Sequence, residues 1–142
     1  MTDHATIDAS KCISCGYCVA ICRQNAIGFS WEISAEIFQR RLAEYAFGAI
    51  LACRNRLFCY NMLLNMAVNC DCMKDGGGWL CGDIGIVAGT DAVAVDAASL
   101  ALVREVAGDV FRRVRQGVPV DLQVEHLARL GGGNKRFRLI EV

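Results

Sequence analysis

Apolar positions recur at spacings of three and four between Ser34 and Cys53, at Phe38, Leu42, Tyr45, Ala46, Ala49, Ile50 and Cys53. That period predicts an amphipathic helix, with Ser34 as its N-cap. Leu57 to Val68 is nearly continuous in apolar residues, broken only by Asn61 and Asn65, and predicts a buried strand. Residues 69 to 82 hold Gly76, Gly77 and Gly78 and predict a loop. Ile84 to Ala88 predicts a short strand. Thr90 or Asp91 then caps a helix to about Ala107, apolar nearly all round and so expected to be buried. Asp109 is placed to cap a short basic helix bearing Arg112, Arg113 and Arg115. Val118 and Pro119 break it before a further helix from Asp121 to Leu130, which Gly131, Gly132 and Gly133 end. Phe137 and Leu139 alternate with Arg136 and Arg138, predicting a last strand from Arg136 to Val142. Strands alternating with helices predict an α/β fold, with α+β as the variant, built on a small mixed sheet with flanking helices.

The first 30 residues break this pattern. They open with a short extended segment, Ala5 to Asp8, and carry four of the nine cysteines of a 142-residue chain. The expected organisation is a cysteine-bearing module at 1–30 and a small α/β domain at 31–142, a length that suits one hydrophobic core. With 54% hydrophobic and 21% charged residues, wholesale disorder is excluded. Fifteen basic and fifteen acidic side chains cancel, which argues against nucleic acid as the main partner. The opening residues, with Asp3, His4 and Asp8 among small side chains, do not read as a secretory leader, so a cytoplasmic location is expected. The most membrane-like stretch, Tyr45 to Cys53, stops at Arg54, well short of the roughly 20 residues a spanning helix needs. In a reducing compartment nine thiols favour metal ligation over disulfides.

Cys12-x2-Cys15-x2-Cys18-x3-Cys22 carries the chemistry. Three thiolates two residues apart wrap one side of a [4Fe-4S] cube, and the tight loop aims backbone N–H groups at its sulfides. Gly16 stands where the loop turns. Ile13, Val19, Ile21 and Ile27 are the candidate apolar sheath. A zinc site is the rival, yet zinc ligands usually come as two separated pairs; buried, unligated cysteines are the plain alternative. The fourth ligand stays open, because in two-cluster ferredoxins the last cysteine of this run ligates the other cluster. Arg23 follows Cys22 where proline is usual, and with Lys11 it puts positive charge beside the site, favouring the reduced form.

From Ile7 to Asp96 the sequence resembles domain-of-unknown-function family 362, an iron-sulfur family. The likeness is carried by Lys11 to Cys22, Arg41 to Ala46, Asn69 to Cys72 and Asp83 to Ala88, and weakly by the helix, glycines and strand that close at Val142. It implies a ferredoxin module embedded in an α/β domain, with Cys12 to Cys22 standing as the second of two cluster motifs. The last cysteine of the first motif would then complete the cluster of Cys12, Cys15 and Cys18, and Cys22 would complete the other. On this reading the chain is a fragment, or an N-terminal partner subunit supplies the rest. Cys53, Cys59 and Cys81 lie where relatives are not expected to have cysteine, so any of them is a candidate replacement ligand. The alternative for Cys53 and Cys59 is an ordinary buried thiol.

Cys70-Asp71-Cys72 can chelate a soft metal, extend to a second cluster with the other thiols, or act as a redox dithiol; the resemblance implies ligation. Asp71, Asp75 and Asp83 are possible oxygen ligands or solvated loop acids. Arg112, Arg113, Arg115 and the group Lys135, Arg136 and Arg138 can steer an acidic redox partner or simply face water. His126 reads as structural. Three functions follow as expectations: an electron-transfer protein or subunit acting on a redox partner, with a homo-oligomer as one arrangement; a reductase module using an open cluster iron or the Cys70/Cys72 pair; and a cluster carrier.

Overall fold

A computed structural model describes residues 7–8, 10–12, 16–24, 26–27, 34–54, 56–69, 75–114, 117 and 119–142. The chain divides into two compact units, Met1–Ile33 and Ser34–Val142. In the first, the described helix is α1 (Tyr17–Ile21). The second holds, in order, α2 (Ala35–Ala52), β1 (Cys59–Leu63), β2 (Gly85–Gly89), α3 (Ala92–Ala107), α4 (Val110–Val114) and α5 (Leu122–Arg129). The architecture is mixed α/β, and among the described residues its sheet is a single antiparallel pair. Cys59 stands opposite Gly89, Asn61 opposite Val87 and Leu63 opposite Gly85.

α3 is the central element. Val95, Ala98 and Val103 join Leu63, Val87 and Val110 in one apolar cluster between the sheet, α3 and α4. Val93 joins Ala43, Ile50, Val124 and Leu127 in a second, with Ala97 and Leu100 packed against it, between α3, α2 and α5. At about 100° per residue these two sets lie on opposite sides of the helix. That is why the helix reads as apolar nearly all round. Asp91 starts it, its Oδ1 accepting the Ala94 N–H at 3.0 Å, and Gly108 ends it at φ 63°.

The predicted N-cap of α2 is as expected: Ser34 Oγ accepts the Ile37 N–H at 3.3 Å. Its buried face is as expected only in part. Ile50 is buried and Ala46 packs against the same cluster, joined by Ala43 and Phe47, which the expected pattern did not include, whereas Phe38, Leu42 and Tyr45 are 52%, 40% and 72% exposed. α2 is apolar on two sides, and a period of 3.6 cannot tell which side a partner will cover.

The strand expected over 57–68 is shorter. β1 alternates, with Phe58, Tyr60 and Met62 outward and Leu63 buried. The chain then turns at Asn65, φ 50°, where Asp83 Oδ1 accepts the Asn65 N–H at 2.7 Å. Beyond the turn the two arms of the hairpin meet again: Leu80 N–H donates to Met66 O at 2.8 Å and Asn69 N–H to Gly76 O at 2.8 Å, with Ala67 bridged to Trp79. Part of the segment expected to be a plain loop is therefore the stem of an arm.

Residues 136–142 are not a strand. Asn134 N–H donates to Asp91 Oδ2 at 2.8 Å and Lys135 pairs with Glu125 at 3.3 Å, which pins the start of this segment beside α3 and α5. After that point the chain runs exposed and joins no ladder.

Candidate metal centre

The chain enters the cysteine motif through a tight turn. Asp8 Oδ1 accepts from Ser10 Oγ at 2.6 Å and from Ser10 N–H at 3.0 Å, and Lys11 N–H donates to Asp8 O at 3.1 Å. These hydrogen bonds, helped by Lys11, hold the Asp8 carboxyl below its ordinary pKa. Cys12 follows, exposed. Gly16 takes φ 73° and ψ −4°, the left-handed region, which a side chain at that position would strain. That turn starts α1, with Gly16 O accepting from Val19 and Ala20 N–H, each at 3.1 Å. α1 carries the half-buried Cys18, and Cys22 closes it. Cys22 Sγ accepts the Ala26 N–H at 3.3 Å.

An amide donor aimed at a sulfur stabilises the thiolate form, and a left-handed glycine lets backbone approach a bulky ligand closely. Both features suit a cluster of iron and sulfide, for which Cys12, Cys15, Cys18 and Cys22 are the candidate ligands. Cys15 lies outside the described residues, as do Ile13, Cys70, Asp71 and Cys72. Among the described residues no three His, Cys, Asp or Glu side chains converge on one point. Of the expected sheath, Val19 and Ile27 are half-buried, but Ile21 is 58% exposed. A five-residue helix has one inward side, and Cys18 and Val19 occupy it.

The distal thiols differ in kind. Cys53 is exposed at the end of α2. Cys59 and Cys81 pack against the cluster between the sheet and α3. Burial, then the negative charges of Asp96 and Asp91, push the Cys59 thiol above its ordinary value of 9.0, so it behaves as a protonated core thiol.

Other candidate residues have structural partners. Asp75 Oδ1 accepts the Gly77 N–H at 3.0 Å and Asp83 ties the Asn65 turn. Arg112 pairs with Asp109 at 3.4 Å and Arg113 donates to Ala107 O at 2.9 Å, closing the C-terminal turn of α3. His126 Nε2 lies 3.1 Å from Glu44 Oε1 and its Nδ1 lies 3.4 Å from Arg40 Nη1. Guanidinium only donates, so in this pairing Nδ1 accepts and Nε2–H donates to Glu44, and the imidazole clasps α2 to α5. Sequence reading missed one polar group: Asn61 Nδ2 donates to Asp96 Oδ1 at 2.7 Å and to Ser99 Oγ at 3.0 Å. Its signal was an asparagine at the inward phase of a strand.

No helix among the described residues is long and apolar enough to cross a membrane. No curated protein and no solved structure matches the chain significantly. A sequence model of the 4Fe-4S binding domain family matches residues 5–28. This stretch contains Gly16, α1 and all four cysteines of the motif, so the N-terminal segment of the chain is similar to ferredoxin-like 4Fe-4S binding domains.

Proposed function

We propose that the chain is an electron-transfer protein, or one subunit of a larger redox protein, in which Cys12, Cys15, Cys18 and Cys22 ligate [4Fe-4S] chemistry at the surface of an iron-sulfur module of residues 1–30. Residues 31–142 form a small α/β domain. The carrying observation is the four-cysteine spacing inside the segment that matches the 4Fe-4S binding family. A bound cubane stores and releases one electron at a time, at a potential within about −700 to +450 mV. The chain's own part is to fix the thiolates through the Gly16 turn, to donate Ala26 N–H to Cys22, and to set Lys11 and Arg23 nearby as positive charge. Cys22 either closes the cubane of Cys12, Cys15 and Cys18 or reaches a second cluster. The likeness of Ile7–Asp96 to family 362 favours the second arrangement, with a redox partner or N-terminal subunit supplying the missing ligand.

The test is anaerobic purification with iron, sulfide and zinc analysis, joined to electron paramagnetic resonance before and after dithionite. About four irons and four sulfides per chain, with a signal on reduction, support a single completed cubane. About eight bring Cys22, Cys70 and Cys72 into a second cluster, and about two point to a cluster shared between copies. Zinc without sulfide overturns the proposal. Rapid transfer of the cluster to an apo-acceptor would replace electron transfer by a carrier role.

A further inference from the structure

Among the described residues β2 is paired on one edge only, to β1. Along its other edge lies a groove of about 490 Å³ lined by five consecutive residues, Ile84 to Ala88, by Leu102 of α3, and by four consecutive residues across from them, Arg138 to Glu141. Consecutive residues of a strand point to alternate faces, so a groove that touches all of them runs along the strand's edge. We infer that residues 136–142 are a strap that closes this groove by adding to β2 as a third, antiparallel strand, with Leu139 opposite Val87.

Direction follows from which residues share a cavity. A second, smaller space of about 230 Å³ is lined by Val87 to Asp91 together with Phe137 to Leu139. Numbers rise along the strap as they fall along β2, and the hydrogen bond from Asn134 N–H to Asp91 Oδ2 pins the same sense at the hinge. The strap is therefore antiparallel to β2.

Register follows from faces. Phe137 and Leu139 line the smaller space with Arg138 and with Ala94, Val95 and Ala98 of α3, and at 43% and 49% they are less exposed than Ile140 at 70%, so we place them on the side of the sheet that Val87 buries. Directly opposed residues in an antiparallel pair share a face. Leu139 then meets Val87, Phe137 meets Gly89 and Glu141 meets Gly85, so the large ring falls opposite a residue with no side chain. A shift by one residue would turn Phe137 and Leu139 to the outside. The outer face closes equally well: Ile140 falls opposite Ile86, which already faces Met62 across the sheet. These three are 70%, 61% and 59% exposed while the strap is open. Arg138 falls opposite Ala88, one strand from Tyr60. Closure removes the unpaired edge of β2, and Arg136 and Arg138 leave the new edge charged, which disfavours pairing with other chains.

Amide hydrogen exchange and proton-proton contacts measured by nuclear magnetic resonance on the full chain test this. Contacts linking residues 138–140 to 86–88 are expected, with alternate amides of 85–89 and 137–141 slowed at least ~100-fold relative to an unstructured chain. Leu139→Asp, which sets a charge against Val87, should abolish that slowing while Ala43 to Ile50 stay protected, and Leu139→Val should keep it. Absence of the contacts in the unaltered chain, unprotected amides at its β2 edge, or protection unchanged by Leu139→Asp would each overturn the proposal.

Discussion

Replacing Asp91 tests how α3 is anchored. One carboxylate does two things: Oδ1 accepts the Ala94 N–H at 3.0 Å and Oδ2 accepts the Asn134 N–H at 2.8 Å. Gly133 packs so closely on the same group that a Cβ there would run into it. Losing an N-cap costs about 1 kcal/mol. Losing a hydrogen bond to a charged acceptor costs about 1.5–3 kcal/mol, and the low end applies because Asn134 is exposed and water replaces the acceptor. Asp91→Ala should therefore destabilise the second unit by about 2–3 kcal/mol. With a urea m-value of about 2 kcal/mol/M, the midpoint should fall by about 1–1.5 M. Asp91→Asn is the sharper variant, since a carboxamide has a single acceptor oxygen and serves Ala94 or Asn134 but not both. Its midpoint should fall by about half as much, roughly 0.5 M. Equilibrium urea unfolding followed by far-ultraviolet circular dichroism measures both. An Asp91→Ala midpoint within about 0.2 M of the parent, or an Asp91→Asn loss equal to that of alanine, would refute the double-acceptor account.

Gly16→Ala places a side chain at φ 73° and should destabilise the loop by about 1–2 kcal/mol, lowering iron per chain after reconstitution; unchanged iron would show that the turn is not needed. Cys15→Ser should remove most of the cluster, whereas Cys59→Ser should keep it, because Cys59 packs in the core; colorimetric iron and sulfide assays separate the two. The raised pKa of Cys59 means that between its ordinary and its folded value the folded chain binds more protons than the unfolded one. The stability that the protonated thiol contributes is present below the ordinary value and lost as pH rises through the folded value. Urea midpoints should thus fall more steeply on the alkaline side in the parent than in Cys59→Ala. Alkylation with iodoacetamide at pH 8, read by mass spectrometry, should be slower at Cys59 than at the exposed Cys53.

The elements whose ends are set by local chemistry were legible in the sequence. Ser34 and Asp91 cap the helices they were expected to cap, because a short oxygen-bearing side chain before an apolar run satisfies a helix's first amides whatever packs later. The likeness of residues 5–28 to 4Fe-4S binding domains was legible for a similar reason, since that pattern is written in spacing over a dozen residues. What failed depends on distant partners. Phe38, Leu42 and Tyr45 looked like part of the core face of α2, but only Ala46 and Ile50 of the expected set join the core, with Ala43 and Phe47 beside them. Residues 136–142 have a strand's alternation without a ladder, because alternation states which faces a strand would present and not whether its backbone is hydrogen-bonded to a neighbour. Asp91 was legible as a cap but not as the anchor of Asn134, a contact 43 residues away.

The position of α3 between two apolar clusters has a consequence for the order in which the second unit comes apart. If α2 and α5 lift away, Val93 is bared but Val95, Ala98 and Val103 still hold the helix to the sheet. If the sheet peels back, the opposite side stays docked. Each half can therefore open alone as a sub-global event, while the amides of α3 become accessible only when both halves have let go. The slowest-exchanging amides should lie in Val95 to Val103 and report the global unfolding free energy, with two faster sets, one on each side, reporting the partial openings.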